Sequence, residues 1–137
     1  QDVEFSIDLR SGLDAARLAA VASLREEFQA IADRRRIALS FEIYFESQAA
    51  PCDVGLQAAL ADAIKAQGLP VIHLPSGAGH DAMVFPVVCP TAMLFVRCGN
   101  GGISHHPDET MTAEDAECAT AVLLHFFESF PESRAPD

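Results

Sequence analysis

The segment over residues 99–109, Gly-Asn-Gly-Gly-Ile-Ser-His-His-Pro-Asp-Glu, sets two imidazoles and two carboxylates in a glycine-rich run. Neutral imidazole is the commonest protein ligand for zinc and similar ions, so His105 and His106 are candidate metal ligands. One loop cannot close a metal site, and a His-His-Pro turn taken alone is more often a polar surface loop. A second segment, Leu-Pro-Ser-Gly-Ala-Gly-His-Asp-Ala over 74–82, is a turn of small residues that can aim successive backbone N–H groups at an anion or a developing oxyanion. His80 and Asp81 stand at its edge. The competing reading is a tight connection into a helix, with Asp81 as its cap.

The elements that would hold these segments follow from hydrophobic periodicity. Val3, Phe5, Ile7 and Leu9 alternate with Glu4, Ser6, Asp8 and Arg10, the period of a half-buried strand. Ser11 and Asp14 have capping-box spacing before Leu18, Val21, Leu24, Phe28 and Ile31, which predict an amphipathic helix to about Arg34. Leu39, Phe41, Ile43 and Phe45 alternate again, so the first third reads β-α-β. A change of composition over 49–53 marks a domain boundary near residue 50. An Ala-rich helix is expected over about 55–67, stopped by Gly68 and Pro70. Residues 71–74 and 92–96 read as short buried strands. A last helix, opened by Thr112 and Asp115, turns Ala119, Val122, Leu123, Phe126 and Phe130 toward a core until Pro131.

Bulk properties exclude several classes of function. Nine basic residues stand against twenty acidic ones, a net charge of −11, and the only basic cluster is Arg34, Arg35 and Arg36. A phosphate backbone would be repelled, so no nucleic-acid partner is expected. No apolar run approaches the length of about eighteen residues that a membrane span needs, and no membrane partner is expected. Cys52, Cys89, Cys98 and Cys118 form no C-x-x-C pair and read as buried free thiols of a reducing compartment, although four cysteines could also make two disulfides. A cytoplasmic location is expected. The chain begins at Gln1 and enters its first alternating run almost at once, so the natural chain is expected to start upstream.

Three ordered stretches, Ser-Gly-Ala-Gly-His-Asp-Ala, then Pro-Thr-Ala-Met-Leu-Phe-Val, then Gly-Gly-Ile-Ser-His-His-Pro-Asp-Glu, resemble the N-carbamoyl-L-amino-acid hydrolases, allantoate amidohydrolases and ureidopropionases. The opening Val-Glu-Phe-Ser-Ile-Asp-Leu-Arg-Ser resembles a strand of the same family's lid domain, so the likeness runs to about residue 130. It implies an α/β fold: residues 1–50 as the second half of a ferredoxin-like lid, or dimerisation, domain, and residues 51–137 as the C-terminal part of a metallohydrolase catalytic domain. It also implies a homodimer formed through the lid and two divalent ions, zinc, manganese, cobalt or nickel.

By the same resemblance His105 takes the place of the last metal ligand, with His106 a neighbour. Arg10 takes the place of an arginine that grips the carboxylate of a small substrate, a task suited to a bidentate guanidinium. The alternative for Arg10 is a strand-end side chain paired with Asp8 or solvated. Gly77, Ala78, Gly79 and His80 would line the substrate pocket, with Asp81 supporting the loop. The general base and the other ligands would lie upstream, so no catalytic residue is assigned within the chain and Glu109 is not put in the base's place. The implied reaction is hydrolysis of a linear C–N bond in an N-carbamoyl or ureido acid by metal-activated water, with this chain alone inactive.

Two other readings compete: a non-catalytic dimerisation or binding module, and a related peptidase or aminoacylase. In that family's lid the segments 3–10 and 39–46 are not neighbours. A strand from the other half lies between them, so the chain alone is expected to expose strand edges and to associate.

Overall fold

The structure is a computed structural model that describes residues 2–130. Pro131, expected to stop the last helix, lies outside the described residues. The chain divides into two units, Gln1–Pro51 with Pro75–Met83, and Cys52–Leu74 with Val84–Asp137.

The first unit is organised by α1, Asp14–Arg35. Its helical pattern is local, and the element ends with Arg36 in the left-handed region at φ 54°, where the Arg36 amide bonds back to Asp33. The expected capping box does not form. Leu13 occupies the N-cap, Ser11 Oγ accepts from the Leu13 amide at 3.1 Å, and the Asp14 carboxylate turns outward to accept from the Ala49 amide at 3.1 Å. A carboxylate at that position ties the helix start to a chain segment 35 residues away, which a local box could not do. Arg17 strengthens the same corner with ion pairs to Asp14 and Glu46.

Phe28 is the centre of the α1 face. Its ring lies 6.0 Å from that of Phe5, edge to face, and 6.5 Å from that of Phe41, while the Arg25 guanidinium sits 4.8 Å above Phe41. Both alternating segments therefore meet one helix, and each presents an aromatic side chain to it. Neither is a strand. Among the described residues no strand is present, including at 3–10, 39–46, 71–74 and 92–96, and the expected β-α-β unit is corrected to two irregular segments on one helix. The physical reason is that alternation sets which side chains face a core, whereas a strand also needs a hydrogen-bonded neighbour. Segments 3–10 and 39–46 make no backbone hydrogen bonds to each other.

In the second unit α2, Val54–Ala66, packs on α3, Ala113–Ser129. Leu60 and Ala63 from α2 and Val122 from α3 are buried there. Asp53 caps α2 by accepting from the Leu56 amide at 2.8 Å. Thr112 caps α3 by accepting from the Asp115 amide at 3.0 Å. Half of the expected box at α3 is thus present. The Asp115 carboxylate accepts from the Thr112 hydroxyl at 2.9 Å and pairs with Arg97 instead of reaching the Thr112 amide. Of the side chains expected to face a core from α3, Val122 is buried, Ala119 and Phe126 are half-buried, and Leu123 and Phe130 are exposed. The four cysteines are unpaired, and where buried thiols were expected Cys89 is exposed and Cys52, Cys98 and Cys118 are half-buried. No helix among the described residues is long and apolar enough to cross a membrane.

Candidate functional site

Arg10 is the only residue of the first ten whose side chain reaches a distant part of the sequence through a hydrogen bond among the described residues. Its Nε and Nη2 donate to the two oxygens of Asp8, at 2.9 and 2.5 Å, so one edge of the guanidinium is paired side-on with that carboxylate. Its Nη1 donates to the Gly77 carbonyl at 2.8 Å, across 67 residues of sequence. The local pair with Asp8 was one of the two readings open from the sequence. The bond to Gly77 goes beyond it, because it joins Arg10 to the turn read from its residues as anion-binding. Arg10 and Asp8 remain more than half exposed, so this is a polar surface with its donors accessible.

The turn after Pro75 is built to leave amides unpaired. Ser76 Oγ donates to the Ala78 carbonyl at 3.3 Å, and the N–H groups of Gly77, Ala78, Gly79 and His80 make no hydrogen bond among the described residues. The turn therefore offers consecutive donors beside a guanidinium, an arrangement receptive to a carboxylate. Neither Gly77 nor Gly79 is demanded by the backbone. Both lie outside the left-handed region, and a Cβ built on either would meet nothing within 4 Å. His80 Nδ1 accepts from the Ala82 amide at 3.0 Å, so His80, in place of Asp81, caps the short 3-10 stretch Asp81–Val87. With Nδ1 engaged as an acceptor, the neutral His80 ring carries its proton on Nε2 and can donate outward.

The loop carrying His105 belongs to the second unit and is cross-braced. The Gly99 amide donates to the Thr110 carbonyl at 2.8 Å, and a Cβ on Gly99 would have to push the Thr110 hydroxyl aside. Gly101 and Gly102 are left-handed, as are Asn100 at φ 49° and His105 at φ 58°. Asn100 Nδ2 donates to the Asp108 carbonyl at 2.5 Å, and the Glu109 carboxylate accepts from the His105 amide at 2.8 Å. These contacts hold two non-glycine residues in a sparsely populated conformation. The His105 imidazole makes no hydrogen bond among the described residues and is exposed. The His106 ring is engaged, Nδ1 accepting from the Asp108 amide at 3.2 Å. Among the described residues no group of three or more His, Cys, Asp or Glu side chains is placed to hold a metal ion. His105 stands as a single candidate ligand, and the residues present do not close a centre.

Two ion pairs that join segments far apart in the sequence have little trace in its pattern. Arg97 binds Asp115 through Nε at 2.6 Å and Nη2 at 2.5 Å, and the contact holds the Asp115 carboxyl below its ordinary value and raises Arg97. Thr112 adds to the effect on Asp115. The pair ties the chain just before the His105 loop to the start of α3 just after it. Its signal was weak, an arginine closing an apolar run and an aspartate already explained as a cap. Arg17 with Glu46 is the second, invisible because it spans 29 residues with no shared pattern.

Residues 6–129 match the family described as Peptidase family M20/M25/M40. The chain belongs to that family. Its members carry an α/β architecture, and the coarse α/β class stands although helices are the regular elements of the described residues. Among curated proteins the chain is 35% identical over 123 residues to an N-carbamoyl-L-amino acid amidohydrolase of Geobacillus stearothermophilus, covering 90% of this chain and 30% of that one. It is 36% identical over 137 residues to an allantoate deiminase of Arabidopsis thaliana, covering 93% and 26%. It is 32% identical over 125 residues to the allantoate amidohydrolase of Escherichia coli (strain K12), covering 90% and 30%. The chain thus spans less than a third of the length of these relatives. No solved structure matches it.

Proposed function

We propose that this chain is part of a hydrolase of linear C–N bonds acting on an N-carbamoyl amino acid or a ureido acid such as allantoate, and that it contributes the carboxylate-binding side of the substrate site. The observation that carries the reading is the hydrogen bond from Arg10 to Gly77. It sets a guanidinium beside a turn whose next four amides, from Gly77 to His80, are unpaired. A substrate carboxylate would take donors from Arg10 and the turn, and the outward Nε2–H of His80 is free to meet the carbamoyl or ureido group. The names of the relatives favour this branch over a peptidase or aminoacylase, since each is called an amidohydrolase or a deiminase.

His105 is proposed as this chain's one ligand to a divalent ion, zinc, manganese, cobalt or nickel, of which the intact enzyme would hold two. The described residues do not complete such a centre, so no catalytic step is assigned to them and the chain alone is proposed to be inactive. Residues 1–50 are proposed as half of a lid that pairs with its copy in a homodimer, and residues 51–137 as part of the catalytic domain. The packing of both Phe5 and Phe41 on Phe28 supports the first half of this division.

The test is a panel of N-carbamoyl amino acids, allantoate, N-acyl amino acids and dipeptides offered to the complete gene product that carries this sequence, supplied with each of the four metals. Ammonia release from the carbamoyl and ureido compounds, with little turnover of the others, is expected. Turnover confined to dipeptides or N-acyl amino acids would move the protein to the peptidase or aminoacylase branch.

A further inference from the structure

The contacts of Arg10 divide its donors into two edges. Asp8 takes the edge formed by Nε and Nη2, leaving the end of the fork, Nη1 and the second hydrogen of Nη2, for other acceptors. Nη1 points at the turn and bonds to the Gly77 carbonyl. Arginine carries several freely rotating bonds, and a side chain more than half exposed would otherwise sweep through solvent. Two bonds to one carboxylate remove most of that freedom and fix the plane of the guanidinium. We propose that Asp8 is a positioning residue that aims the free edge of Arg10 at the 76–80 turn, where a ligand carboxylate replaces the Gly77 carbonyl. The inference rests on the reading of Arg10 as the carboxylate-binding residue and adds a residue to which no role was assigned.

Two effects of Asp8 oppose each other, and their signs separate the inference from its rival. Its negative charge lies close to where the ligand carboxylate would bind, so by charge alone Asp8→Ala tightens binding. If Asp8 merely occupied Arg10 in competition with the ligand, its removal would tighten binding as well. A positioning residue predicts the reverse. An amide at this position keeps one acceptor, so Asp8→Asn falls between wild type and Asp8→Ala.

Calorimetric binding of N-carbamoylglycine to the complete gene product tests this, with the uncharged N-carbamoylglycinamide as control. The resonance of Arg10 Nε–H in the 137-residue chain reports the orientation of the side chain directly. Asp8→Ala is expected to weaken N-carbamoylglycine about tenfold, Asp8→Asn less, and neither to change binding of the control. The Arg10 Nε–H signal, slowed in exchange by Asp8, is expected to broaden into solvent exchange in Asp8→Ala. Equal or tighter binding in Asp8→Ala, or an unchanged Nε–H signal, overturns the inference while a loss of binding in Arg10→Ala leaves the functional reading standing. Wild-type affinity in Arg10→Ala, or no binding by the wild type, overturns the functional reading itself and the inference with it.

Discussion

At the scale of single residues, the glycines of this chain divide into two kinds. Gly101 and Gly102 are required by their left-handed backbone, whereas a Cβ on Gly99 would only have to push the Thr110 hydroxyl aside. Gly77 and Gly79 meet neither constraint, and their small size leaves open space over the turn beside Arg10. Gly77→Ala and Gly79→Ala are therefore expected to leave thermal stability unchanged or raise it by up to about 1 kcal/mol, through the unfolded chain alone. Gly101→Ala, which forces an L side chain into the left-handed region, is expected to lower it. Melting curves of the three variants check this, and a large loss in Gly77→Ala would mean that the turn is packed from a side the structure leaves open. Composition could not separate the two kinds of glycine, because both stretches are glycine-rich for different reasons.

At the scale of elements, helices were legible and strands were not. The spacing of Leu18, Val21, Leu24, Phe28 and Ile31 is a property of one segment, and α1 and α3 end within a residue or two of where periodicity places them. Alternation at 3–10 and 39–46 is also local, but a ladder belongs to two segments, and these two meet the same helix without pairing with each other. Caps were legible only when the polar side chain had no better offer. Thr112 caps its helix as expected, whereas the Asp14 carboxylate goes to Ala49 and Arg17, and the Asp53 cap of α2 was not anticipated. Proximity of Arg10 to Gly77 has no trace in the spacing of either segment, and only the family resemblance connected them. The Arg97 contact to Asp115 gives an element-level prediction. The lowered folded value of Asp115 means that its contribution is fully present above its ordinary value of 3.8 and is lost as pH falls through the lowered one. Asp115→Asn is therefore expected to reduce the melting temperature by on the order of 3 °C at neutral pH, with the gap closing below the ordinary carboxylate range. A gap that persists unchanged at pH 2 would show that the side chain acts by packing and not as a charged partner.

At the scale of the whole molecule, each unit leaves large apolar side chains uncovered. Val3, Phe5, Tyr44 and Phe45 are exposed in the first, and Val84, Val87, Val88 and Phe127 in the second. Apolar surface in contiguous patches favours association, and segments 3–10 and 39–46 add backbone groups with no ladder partner. The 137-residue chain is expected to be a dimer or larger at roughly micromolar to millimolar concentration, as read by light scattering after size exclusion. A dispersed monomer throughout that range would show that these surfaces are covered within one chain. The central claim, that this family member binds a substrate carboxylate through Arg10 for hydrolysis of a C–N bond, is tested most directly by steady-state kinetics of Arg10→Ala in the complete gene product on its best N-carbamoyl or ureido substrate, with bound metal measured alongside. KM is expected to rise about tenfold or more with metal content unchanged, because a charge-assisted pair to the substrate is lost and no ligand is. An unchanged KM would mean that Arg10 does not bind the substrate carboxylate.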